Sequence, residues 1–185
     1  MINLEMNQNK IQVTSSDIVY RGKWLAVRKD EIVKPDGVRG TYEVVERRDI
    51  VAVIPKEQQF FYMVEQYRHA VQARSLEFPG GFIDESETPL QAAKRELQEE
   101  VGARAKHLTF LNTMWIVSGY STQKVHIFLA DSLTHTKQKL DVTESDLKVK
   151  KFTLKELEKM ITTGIIKNGP TIAALGIYNM LHRDS

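Results

Sequence analysis

The order of apolar and polar positions divides the chain into a strand-rich first half, one central amphipathic helix and a helical end. Residues 12–47 read as strands joined by tight turns, with Lys34-Pro35-Asp36-Gly37 turning between 25–33 and 38–45. Apolar runs of strand length follow at 50–54 and 60–66, and Pro55-Lys56-Glu57-Gln58 between them predicts a second hairpin. Further strands are predicted at 108–117 and 125–130. A polar loop over 132–146, a short strand at 149–152 and helices over 154–162 and 171–181, separated by Gly169-Pro170, complete the chain. Residues 1–10 are polar and carry no element. Strands flanked by a few helices predict an α/β sandwich in which a mixed sheet lies between helices.

The central helix, over 89–101, is the best-specified element. Thr88 is a favoured N-cap, Pro89 sits where a missing N–H costs nothing, Gln91 completes a Thr-x-x-Gln capping box, and Gly102 supplies a left-handed stop. At about 100° per residue, Leu90, Ala93, Leu97 and Val101 form an apolar stripe for the core, while Glu96, Glu99 and Glu100 are expected to face outward beside it. Like charges at these spacings repel, and a bound divalent ion reverses the sign. Oxygen ligands in a chain with no cysteine point to a hard ion, Mg²⁺ or Mn²⁺. The competing reading is an ordinary solvated acidic helix face.

The surrounding spacing favours the metal. The chain reads Gly81, five residues, Glu87, seven residues, Arg95-Glu96-Leu97, one residue, Glu99-Glu100, one residue, Gly102-Ala103. This resembles the Nudix box throughout, with Ala103 standing where the family usually has a bulkier aliphatic residue. Tyr20-Arg21-Gly22-Lys23-Trp24, Tyr42 to Arg47, Val64 to Arg68, Leu76 to Gly81 and Lys167 to Leu175 resemble phrases of the ADP-ribose and nucleoside diphosphate sugar pyrophosphatases within that superfamily. The resemblance implies a Nudix-type α/β/α sandwich over residues 47–185. It also implies an N-terminal β extension over residues 1–46 that pairs across a homodimer and helps build the substrate pocket.

A phosphoanhydride repels incoming water, so its hydrolysis needs cations on its oxygens, an oriented water and a base. The resemblance makes Glu96 and Glu100 the first metal ligands, Glu99 a direct or water-bridged one, and the carbonyl of Gly80 a further ligand. Arg95 is expected to orient the glutamates and the glycine loop, with Glu87 bracing that loop or acting as an outer ligand. The base is expected on the loop holding Asp141, Glu144 and Asp146, with Glu144 first and Asp146 second, unless that patch is a solvated turn. Arg68 and Arg47 are candidate diphosphate clamps. Trp24 is a candidate adenine platform or a packed hairpin aromatic, and Glu77 a substrate or metal contact or an ion-pair partner. His69, His107, His126 and His135 lack ligand spacing and read as structural.

Composition narrows the partners. With 185 residues and 42% hydrophobic content, one domain with a modest extra element can bury a sufficient core. The 26 basic and 24 acidic residues are mixed along the chain, which gives no electrostatic case for a nucleic-acid or membrane surface. The start lacks an apolar segment of signal-peptide length, so the expected location is cytoplasmic. One departure from the ADP-ribose subgroup stands out: Ser118 replaces a proline before Gly119, and Gln123 an acid. The reading from sequence is a Mg²⁺- or Mn²⁺-dependent pyrophosphatase giving a nucleoside monophosphate and a sugar phosphate, ADP-ribose being the first candidate substrate. GDP-mannose, another nucleotide sugar or a dinucleotide is the enzymatic alternative, and a non-catalytic nucleotide-sugar-binding regulatory module the alternative of another class.

Overall fold

The structure is a computed structural model that describes residues 10–140 and 145–183. Two compact units emerge, one holding Met1–Arg47 with Val117–Gln123 and the other Arg48–Ile116 with Lys124–Ser185. In the first, β1 (Gln12–Arg21), β2 (Ala26–Val33) and β3 (Arg39–Glu46) form an antiparallel meander in that order. The predicted turn at Lys34 is present, with Gly37 at φ 82°. The segment Val117–Gln123 is zipped onto β3: Val45 N–H donates to the Tyr120 carbonyl at 2.7 Å and Ser121 Oγ donates to the Val45 carbonyl at 3.0 Å. A boundary placed by sequence order alone misses this, because the loop lies some 70 residues beyond its partner strand.

In the second unit the strands are β4 (Ile50–Glu57), β5 (Phe60–Arg68), β6 (Ala73–Glu77), β7 (Ala103–Trp115), β8 (Lys124–His135) and β9 (Lys148–Thr153). Their order is β6-β5-β4-β8-β7, with β9 also on β5, and the parallel β4–β8 pair among antiparallel neighbours makes the sheet mixed. β6 has no apolar run that would predict it. It also did not extend β7 back to Ala103 or β8 out to His135, since those ends are polar and are specified by cross-strand pairing such as Ala103 with His135.

Every residue of β4 from Val51 to Pro55 is buried, and its period of two feeds two cores. Val51 and Val53 meet Ala92, Ala93, Leu97 and Val101 on one face. Ala52 and Ile54 meet Leu157, Ala174, Leu175 and Tyr178 on the other. Helix α1 (Pro89–Glu96) therefore covers one face, and α2 (Leu154–Thr162) and α3 (Gly169–Leu181) the other, the sandwich expected from sequence.

β4 also seats the glycine loop. It pairs with β5 at Lys56 and Glu57, and beyond that point the same edge is taken by the loop: Val53 N–H donates to the Pro79 carbonyl and Val51 N–H to the Gly81 carbonyl, at 2.8 and 2.9 Å. α3 props the start of this loop, since Phe78 N–H donates to the buried Thr171 hydroxyl at 3.0 Å.

The helical stretch that α1 opens begins as predicted, with the Thr88–Gln91 capping box formed, and stops at Gly102 with φ 69°. Between them Leu97–Val101 is a π turn. The buried positions are 92, 93, 96, 97, 100 and 101, a strict repeat of four. An α-helix of 3.6 residues per turn would drift off that repeat, and the wider π turn takes up the drift. Leu90 is accordingly not in the stripe: it is 40% exposed, and Ala92 replaces it. Leu97→Ala should cost about 2–5 kcal/mol and Leu90→Ala well under about 1 kcal/mol, read from urea unfolding midpoints. Equal losses would refute this assignment of the buried face.

Candidate active site

The outward-facing acids expected from sequence are not outward-facing. Glu96 and Glu100 are buried, Glu100 completely, and Glu99 is half-buried. Burial of ionised carboxylates requires paired, hydrogen-bonded surroundings, and Arg95 provides most of them. Its Nη1 donates to Glu96 Oε1 at 2.7 Å and to Glu99 Oε2 at 3.0 Å. Its Nε and Nη2 grip Glu87 in a two-pronged fork at 2.8 and 2.9 Å, and Nη2 also donates to the Phe82 carbonyl at 2.9 Å. One guanidinium thus ties the helix to both ends of the glycine loop. The hydrogen bond to Glu87 is the largest cause raising the Arg95 guanidinium pKa above its ordinary value, and the same bond holds the Glu87 carboxyl below the usual carboxylate range, aided by Asp84 N–H.

The two glycines bring the loop against the helix. Gly80 N–H donates to Glu100 Oε2 at 2.8 Å, and a Cβ on Gly80 would collide with the Val51 carbonyl. A Cβ on Gly81 would occupy the place of Glu96 Oε1. Glycine is required at both by close approach rather than by a left-handed backbone.

The other candidates fall into separate groups. Arg68 and Glu77 face each other across β5 and β6 in a bidentate pair, Nε to Oε1 at 3.0 Å and Nη2 to Oε2 at 2.7 Å, with Glu77 buried. The ion-pair reading of Glu77 is therefore realised. Asp146 Oδ2 accepts from Tyr67 N–H at 3.1 Å and Arg74 Nη1 at 2.8 Å, and the Tyr67 amide first and Arg74 second hold this carboxyl below its ordinary range. Asp141 and Glu144 lie outside the described residues. Trp24 and Arg47 belong to the N-terminal unit. Trp24 is largely exposed, with the Lys23 ammonium 4.7 Å from its ring centre, and Arg47 is exposed. Ser118 is exposed, whereas Gln123 is buried and its N–H donates to Ser121 Oγ. His126 bonds Thr113 and His135 bonds Glu57.

Two residues were missed by sequence reasoning. Arg74 anchors Asp146, and Gln138 donates its side-chain amide to the Glu100 carbonyl at 2.6 Å. Neither had a local signal, because each acts on a residue far away in the chain.

Among the described residues no three His, Asp or Glu side chains are already arranged around a cation position. The geometry gives the reason: Glu96 and Glu99 are turned onto Arg95, and Glu100 onto Gly80 N–H. The donor set itself fits a hard divalent ion, being all oxygen and converging on one helix turn opposite a glycine cradle.

A family model described as the NUDIX domain matches residues 45–175, across the glycine loop, the box helix and both faces of the sandwich. The chain belongs to the Nudix family. It is a Nudix hydrolase. A second model, the nucleoside diphosphate sugar hydrolase N-terminal domain, matches residues 11–45. The chain is 31% identical over 173 residues to an ADP-ribose pyrophosphatase of Mycobacterium tuberculosis, covering 92% of this chain and 84% of that protein. It is 28% identical over 159 residues to the ADP-ribose pyrophosphatase of Bacillus subtilis, covering 85% and 86%. Its fold is similar to a crystal structure of an ADP compounds hydrolase, with a TM-score of 0.85 and 25% identity over 94% of this chain and 95% of that one. Among the described residues no helix is long and apolar enough to cross a membrane.

In this Nudix box Arg95→Gln should destabilise the fold with a particular pH dependence. Glu87 has a lowered folded-state pKa, so its contribution is present above the unfolded value of about 4.3 and is lost as pH falls through the folded one. The variant lacks the main cause of that shift. The stability gap between wild type and variant, read from urea midpoints, should be wide at pH 7 and narrow below about pH 4. A gap that does not change with pH would refute the pairing.

Proposed function

We propose that this Nudix hydrolase is a divalent-metal-dependent pyrophosphatase that cleaves the diphosphate of ADP-ribose or a related nucleoside diphosphate sugar, releasing a nucleoside monophosphate and a sugar phosphate. The observation that carries the reading is the conjunction of an intact carboxylate box with an N-terminal sheet matched by the nucleoside diphosphate sugar hydrolase N-terminal domain. The names of the relatives from M. tuberculosis and B. subtilis support the same substrate class.

Glu96, Glu99 and Glu100 would hold Mg²⁺ or Mn²⁺. Gly80 lies between Pro79 and Gly81, whose carbonyls are used by β4, and its N–H faces Glu100, the side on which we place its carbonyl ligand. When bound, the ion supplies charge neutralisation for the phosphoanhydride oxygens and acidifies water. Arg95 fixes the direction of Glu96 and Glu99. Arg68, with its guanidinium plane set by buried Glu77, is the diphosphate clamp, and Arg47 and Trp24 are the substrate-binding candidates that the N-terminal unit carries. Asp146 is tied down by Tyr67 and Arg74 and is a poor base with its lowered pKa, which favours Glu144 as the group that takes the proton of water.

The partner we propose for the N-terminal sheet is a second copy of this chain. All ten residues of β1 are exposed, including Val13, Ile18, Val19 and Tyr20, and among the described residues β1 pairs with β2 alone. An edge strand with such side chains is a template for another strand. Light scattering at micromolar concentration should return twice the 21.2 kDa chain mass, and a monomer mass would refute the pairing.

Incubation with Mg²⁺ and a panel of ADP-ribose, GDP-mannose, dinucleotides and nucleoside triphosphates, with products resolved by chromatography, tests the activity. ADP-ribose should yield AMP and ribose 5-phosphate, while turnover of none of these compounds would sink the reading. Glu100→Gln should abolish hydrolysis while the cooperative unfolding transition persists. A near-normal rate in that variant would show that the metal is misplaced.

A further inference from the structure

The chain leaving β8 returns to the box helix and closes its C-terminal end. Thr136 N–H donates to the Gly102 carbonyl at 2.6 Å, Lys139 N–H to the Glu99 carbonyl at 3.1 Å, and Gln138 Nε2 to the Glu100 carbonyl at 2.6 Å. The last carbonyls of a helix lack intrahelical partners, and two of the three satisfied here belong to Glu99 and Glu100 of the carboxylate cluster. Water is a poor substitute as a partner, because Glu100 is fully buried. The same end of the helix carries the negative pole of its dipole, so three donors placed on it also ease the concentration of negative charge. Gly102 is part of the fit, since a Cβ there would meet the Thr136 carbonyl and the Gln138 amide nitrogen.

We propose that Gln138 is a positioning residue for the carboxylates of the box: its side-chain amide fixes the peptide of Glu100, and with the flanking Thr136 and Lys139 backbone amides it holds the last turn in the widened register that sets Glu99 and Glu100 beside Glu96. Gln138 bonds the backbone carbonyl of Glu100, not its carboxylate. It acts through the backbone of Glu100, in the way that residues behind metal ligands set their direction. The inference rests on the metal site proposed above, and its test separates the two.

Mn²⁺ binding is measured by electron paramagnetic resonance of the free ion, with no substrate present, on wild type, Gln138→Met and Gln138→Asn. Methionine keeps the bulk and loses the donor; asparagine keeps the amide one methylene short of the carbonyl and is the milder change if methionine folds poorly. Each variant should bind Mn²⁺ about tenfold more weakly, with kcat lowered and KM for the nucleotide sugar within about twofold of wild type. Thr153→Ala, which removes the cap of α2, is the control for general destabilisation and should leave Mn²⁺ affinity unchanged. Unaltered Mn²⁺ affinity in both Gln138 variants, or an equal loss in Thr153→Ala, overturns the role of Gln138 alone. A wild-type protein that binds no Mn²⁺ overturns the metal reading and this inference with it.

Discussion

The constraint on which the catalytic unit depends is the placing of several carboxylates where water is nearly excluded. Removing one partner from a buried ion pair costs about 3–5 kcal/mol, so Glu96 and Glu100 cannot be buried without Arg95 and the Gly80 amide. That requirement links elements that packing alone would leave independent. The guanidinium must reach Glu87 and the Phe82 carbonyl as well as its own helix, and this fixes the glycine loop. The loop in turn needs two residues without side chains, because β4 and Glu96 occupy the space. Electrostatics therefore dictates the backbone here.

The π turn follows from the same demand. A helix that packs Ala93, Leu97 and Val101 on β4 must also bring Glu96 and Glu100 into line beside them, both at intervals of four. Ordinary α geometry serves one such row over two turns and then rotates it away. Widening one turn keeps both rows in register, at the cost of poorer carbonyl satisfaction at the end. The amides of Thr136, Gln138 and Lys139 offset that cost from outside the helix.

What sequence could convey was whatever is local. The capping box of Thr88 and Gln91, the left-handed Gly102, the Lys34 turn and the apolar strand at 50–54 all depend on neighbours within a few positions, and all were legible. The burial of Glu96 and Glu100 was not. A periodicity argument counts charge as solvent-facing unless a partner is known, and half of Arg95's partners are eight to thirteen residues back in the chain. β6 escaped for a related reason: it is five residues with two apolar side chains, held by pairing with β5. The joining of Val117–Gln123 to β3 and the Arg74–Asp146 contact span some seventy residues and leave no trace in local composition.

The Arg68–Glu77 pair bears on an ambiguity that local sequence leaves open. From the chain alone Glu77 was either a substrate or metal contact or an ion-pair partner, and Arg68 a candidate clamp. A guanidinium carries five N–H groups in a planar fork, and Glu77 uses two of them. The carboxylate is buried while the arginine side chain is 45% exposed, so the anion is the fixed member and the cation the member it aims. A flexible arginine loses rotamer freedom when it grips a phosphate, a penalty of up to about 2 kcal/mol. Glu77 takes most of that ordering into the folding of the protein, so the ion pair is compatible with the clamp role proposed for Arg68.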